Sequence, residues 1–123
     1  MRKLISLILL SLSLHACGGN TAVVLAFEWG SCDFDRERWA QADRFGRGCM
    51  MTSFLDRYHP EGMSVVEIKL WLGEPSAYAD YEDPAYLVAQ RAPNGSPGRE
   101  QMLVFRIDRI TGRVIDVQLR PIA

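Results

Sequence analysis

The chain has 123 residues, 48% of them hydrophobic and 24% charged, with a formal net charge of -1, the balance of an ordinary single globular domain. No basic excess speaks for a nucleic-acid surface, and no acidic block speaks for a solvated tail.

Met1, Arg2 and Lys3 open the chain with a short positive stretch, and residues 4–14 form an apolar run broken only by serines. A helix of that length rises about 16 Å, short of the ~30 Å hydrocarbon core of a bilayer. Residues 1–16 therefore read as a secretory signal peptide rather than a transmembrane helix. The run ends in Leu14-His15-Ala16-Cys17-Gly18, which resembles the lipobox of bacterial lipoproteins. The resemblance implies cleavage before Cys17 and lipidation of its thiol, with membrane attachment through that lipid. The other reading is ordinary signal-peptidase cleavage with Cys17 as a plain thiol, which the absence of a small residue at position 14 disfavours.

Three cysteines leave an odd thiol in an exported protein. With Cys17 lipidated, Cys32 and Cys49 are an even pair in an oxidising compartment. They are either bridged, closing a loop that contributes about 3 kcal/mol, or reduced and buried. Residues 17–32 read as a tether, although residues 21–27 are oddly apolar for one.

Asp35 is a candidate N-cap for a short turn through Trp39. Met51, Phe54, Leu55 and Tyr58 stand at i, i+3, i+4 and i+7 on one helical face, which Pro60 and Gly62 end. His59 falls in the last turn, where a cation favours the helix dipole. A second helix is written from cap to cap. Ser64 and Glu67 form a capping box, Val65, Ile68 and Leu72 with Val66 and Trp71 make a broad buried face, and Gly73 and Pro75 stop it.

From residue 76 the apolar period changes to two. Residues 85–91 read as a strand, residues 92–98 as an exposed loop, and residues 78–81 as room for a short extra strand. Leu103, Phe105 and Ile107 then alternate against Val104 and Arg106, and Ile115, Val117 and Leu119 against Asp116, Gln118 and Arg120. A turn over residues 108–112 joins these runs into a hairpin. The expected fold class is α+β in two layers: two helices on one face of a small antiparallel sheet, in the order α-α-β-β-β.

Gly62-Met63-Ser64, Glu67 and Leu72-Gly73-Glu74-Pro75 resemble the helix signature of the SmpA/OmlA (BamE-like) outer-membrane lipoprotein family. Residues 103–119 resemble its closing Gly-Arg-Val hairpin. The resemblance covers roughly residues 34–119 and implies a BamE-like domain over residues 33–123. It further implies a location at the periplasmic face of the outer membrane of a Gram-negative bacterium, to which Gly18 after the lipidated cysteine is suited. The implied role is a scaffold or adaptor among envelope proteins, an accessory component of β-barrel protein assembly or of envelope integrity. In this reading Gly62, Met63, Ser64, Glu67, Leu72, Gly73 and Pro75 are architectural.

An enzyme is not expected. His59 is the one histidine after residue 16, which leaves no Ser-His-Asp arrangement and no histidine pair for a metal. No cofactor, nucleic acid or small-molecule substrate is implied. Asp80, Glu82 and Asp83 read as a solvated acidic loop, since they lack the glycine and spacing of a calcium loop. Tyr78, Tyr81 and Tyr86 are a candidate partner surface, because tyrosine is enriched at interfaces, with strand packing as the plainer reading. The alternative function is an inhibitor or peptide-binding module acting on an exported enzyme, since residues 108–117 also resemble half of a PepSY module. Members of a secreted β-lactamase inhibitor family share the same plan.

Overall fold

Helix caps and strand alternation organise the computed structural model, which describes residues 28–122. Cys17, the segment 1–16 read as a signal peptide and the apolar run 21–27 lie outside the described residues. Among the described residues, three helices precede a four-stranded antiparallel sheet. They are α1 (Arg36–Gln41), α2 (Arg44–Tyr58) and α3 (Val65–Leu72); the strands are β1 (Ala77–Ala79), β2 (Asp83–Arg91), β3 (Pro97–Ile107) and β4 (Val114–Pro121). Sheet order follows chain order, β1-β2-β3-β4, so each strand is joined to its neighbour by a short turn. The α+β class expected from the sequence is the class observed, with one more short helix and one more short strand than the core pattern required.

Each helix begins where a side chain satisfies its open backbone donors. Asp35 accepts from the Arg38 N–H at 2.9 Å, and Asp43 accepts from the Gly46 N–H at 2.9 Å. Ser64 and Glu67 form the reciprocal capping box, with Ser64 N–H donating to the Glu67 carboxylate at 2.9 Å and Glu67 N–H to the Ser64 hydroxyl at 3.2 Å. At the other end Gly73 has φ +76, a conformation open to glycine at no steric cost. His59 lies one residue beyond α2, as its left-handed C-cap with φ 44, rather than within its last turn.

The core lies between the helices and one face of the sheet. Met51, Phe54, Ile68, Tyr86, Val88 and Phe105 are its most enclosed members, and each such side chain contributes about 1.5–3 kcal/mol through burial. Trp39 ties the helical layer together. Its indole N–H donates to the Leu72 carbonyl at 3.0 Å, while its own carbonyl accepts from Arg47 at 3.0 Å. Helix α2 rests directly on β2, where Gly48 packs so close to Ala89 that any Cβ would collide with the strand's carbonyl oxygen.

Three expectations are corrected. Val66 is 73% exposed, because the stripe through Ile68 and Leu72 points to the core and Val66 falls on the opposite side of so short a helix. A bulge between Arg106 and Ile107 shifts the register of β4, so Val114 enters the core and Ile115 is left exposed. Trp29 is buried in the core cluster and Cys32 is joined to Cys49, so the compact unit includes the last residues of the segment read as tether.

Candidate functional site

Two turns at one end of the sheet carry the most exposed apolar side chains among the described residues. Tyr81, between β1 and β2, is 96% exposed, and Ile110, between β3 and β4, is 94% exposed. Both turns are rigidly held. Asp108 accepts from the backbone N–H groups of Ile110 and Thr111 at 2.7 and 3.2 Å, the side-chain pattern that fixes an Asx turn. Asp80 and Tyr81 adopt positive φ of 47 and 79, costly for residues other than glycine.

Arg109 locks these turns to each other. Its guanidinium donates to the Asp83 carboxylate at 2.9 Å, the Ile107 carbonyl at 2.9 Å and the Asp80 carbonyl at 2.9 Å, and pairs with Glu82 at 3.4 Å. Asp83 is only 2% exposed and also accepts from the Ile107 N–H at 3.1 Å. The carboxylate hydrogen bonded to it holds Arg109 more firmly protonated than a free arginine. Arg120 pairs with Asp80 at 3.0 Å. The acidic stretch of residues 80–83 is therefore not a freely solvated loop: Asp83 is buried and paired. Neither Ile110 nor Arg109 stood out in the sequence, although an isoleucine inside a five-residue turn is a signal of a displayed side chain.

The remaining candidate residues fall elsewhere. Tyr78 is half-exposed on β1, with the Lys69 ammonium 5.7 Å from its ring centroid; hydrogen bonding to Tyr78 raises the Lys69 pKa. Tyr86 is not part of any surface. It is fully buried, donates to the Gly73 carbonyl at 2.8 Å, and burial pushes its hydroxyl well above the usual phenol range. Tyr86 packs from β2 against Trp39 of the helical layer, the plainer of the two readings of this tyrosine. Cys32 and Cys49 are disulfide-bonded with Cα atoms 5.1 Å apart, inside the span a bridge requires. Gly62, Met63, Ser64, Glu67, Leu72, Gly73 and Pro75 build α3 and its flanking turns.

An open cleft of about 420 Å³ lies between the start of α2 and the end of β2, lined by Trp29, Phe45, Cys49, Ala89 and Arg91 among others. Its chemistry is spoken for. The Arg91 guanidinium lies 4.1 Å from the Phe45 ring centroid, Cys49 is bridged, and Asp43 caps α2, where the Gly46 N–H holds its carboxyl below the usual range. Among the described residues no group of three or more His, Cys, Asp or Glu side chains is placed to hold a metal ion. No described helix is long and apolar enough to cross a membrane. No family model, curated protein or solved structure matches the chain.

Proposed function

We propose that the chain is a lipid-anchored periplasmic scaffold or adaptor of the outer membrane, attached through Cys17, that acts through protein contacts in β-barrel assembly or envelope integrity. The observation that carries the contact role is the pair of displayed side chains, Tyr81 and Ile110, on turns that Arg109 fastens together. Apolar side chains held on rigid backbone lose little entropy on docking, and an exposed tyrosine is suited to a partner's pocket. The anchoring half of the reading rests on the Leu14–Cys17 sequence and its lipobox resemblance.

The test is affinity purification of the tagged full chain from gently solubilised envelopes, beside Cys17→Ala and a Tyr81→Ser/Ile110→Ser double variant. Recovery of β-barrel assembly subunits by the unaltered chain, lost in both variants, is the expected result. Recovery of a single exported enzyme instead would overturn the adaptor reading in favour of an inhibitor. Equal recovery by the double variant would remove the two turns from the contact.

A further inference from the structure

We propose that the outer edge of β4 pairs with β4 of a second copy of this chain, antiparallel about Gln118, so that two four-stranded sheets become one continuous sheet. Strand β4 is the last strand of the sheet, and only its beginning is engaged on the outer side. Gly62 N–H donates to the Val114 carbonyl at 2.9 Å, and Val114 N–H donates to the Met63 carbonyl at 2.8 Å. Ser64 bridges to Arg113. From Asp116 onward no described residue pairs with that edge.

Symmetry narrows the registers. A two-fold axis normal to a sheet keeps each side chain on its own face, so the central residue must stand opposite itself. Centred on Asp116 or Arg120, the pairing sets like charges face to face, which is unfavourable. Centred on Val117 it sets Asp116 against Gln118, and centred on Leu119 it sets Val117 against Pro121. Centred on Gln118 it sets Asp116 against the second copy's Arg120 twice, and Val117 against Leu119 twice. That register alone matches charge with charge and apolar with apolar.

The charged side chains share one face of β4, where Arg120 also donates to Gln118 of its own chain at 3.0 Å. Asp116 takes a two-pronged contact from Arg106 at 2.7 and 2.8 Å, and Arg120 reaches Asp80 at 3.0 Å. Across the seam these would align as Arg106, Asp116, Arg120 and Asp80, alternating in sign. On the other face Val117 and Leu119 pack against the core cluster yet stay only partly buried, and the pairing would cover each with its counterpart. Pro121, which has no N–H, falls opposite Ile115 at the end of the seam, where a missing donor matters least.

The test is register-specific cross-linking in the full chain, in mild detergent under gentle oxidation, scored on non-reducing gels against the unaltered chain. Residues directly opposite in a sheet have Cα atoms about 4.5–5.5 Å apart, within disulfide reach. Gln118→Cys is expected to form a covalent dimer in at least about half of the chains. Asp116→Cys alone is expected to form none above background, since its symmetry mate lies about 13 Å along the strand; adding Arg120→Cys restores the link. No dimer with Gln118→Cys, or equal linking by Asp116→Cys alone, would overturn the proposal. Sedimentation supplies a second readout that needs no added cysteine. Arg120→Asp is expected to weaken self-association by about tenfold, with Arg120→Lys close to the unaltered chain. A chain that sediments as a monomer at about 100 μM, or an Arg120→Asp variant that associates normally, would also overturn it.

Discussion

Helix α3 and the turn end of the sheet are both firmly built, but from opposite resources. The caps of α3 lie within residues 64–73, Ser64 with Glu67 and Gly73 with Lys69, and donors from Trp39 and Tyr86 add to its C-terminal end. The turn end depends on remote partners. Asp83 meets Arg109 at a sequence separation of 26, and Asp80 meets Arg120 at a separation of 40. The helical layer adds its own remote tie in the Cys32–Cys49 bridge, at a separation of 17. Local construction can be read from sequence and is lost in small increments. Remote construction is hidden in sequence, and a single substitution can strand several groups at once.

Breaking the remote ties should therefore do most damage. The Cys32→Ser/Cys49→Ser variant is expected to lose about 3 kcal/mol of unfolding free energy through the freer unfolded chain, measured by urea titration. Next, Asp83→Ala leaves the buried Ile107 N–H without its acceptor, a loss of about 2 kcal/mol. The same change frees Arg109, so limited proteolysis should cut the 80–82 and 108–112 turns faster than in the unaltered chain. A local break is smaller. Ser64→Ala removes one half of the capping box for about 1 kcal/mol, and helix content at low temperature should be nearly unchanged. If Ser64→Ala proved as costly as Asp83→Ala, the distinction between the two regions would fail.

The weakest effects are those of pH. Arg106 holds the Asp116 carboxyl below its usual range, and hydrogen bonding to Ser64 does the same for Glu67. Their contributions are complete above the unfolded values near 4 and drain away as pH falls through the lower folded ones. Glu67 is exposed and Asp116 half-exposed, so screening keeps the effect modest. Tyr86 works in the other direction. Its folded pKa is raised by burial above the ordinary 10.0, so its contribution is whole below pH 10 and is lost as pH rises beyond it. Thermal midpoints across pH should form a plateau that falls first on the acid side, below about pH 4.

What could be read from the sequence follows the same division. The two ends of α3, at Ser64 and Gly73, were legible because capping chemistry acts over three or four residues, while Val66 between them was misread as buried. In β3 the core positions Leu103, Phe105 and Ile107 were legible from their alternation, although Val104 between them is buried as well. Beyond the bulge it did not hold: one extra residue in β4 exchanged the places of Val114 and Ile115. Asp83 was misread because the arginine that neutralises it sits on another hairpin. Of the site, Tyr81 stood out by residue type alone. Ile110 and the Arg109 clamp became visible only when the two turns were brought together.

The backbone at Tyr81 carries one more consequence. A glycine would occupy that φ of 79 without strain, and the exposed ring gives up almost no packing if removed. Tyr81→Gly should therefore make the isolated domain sturdier while depriving it of its most prominent side chain. Fitness to fold and fitness to engage others pull apart at this one position, where the chain carries the residue its own folding would not choose.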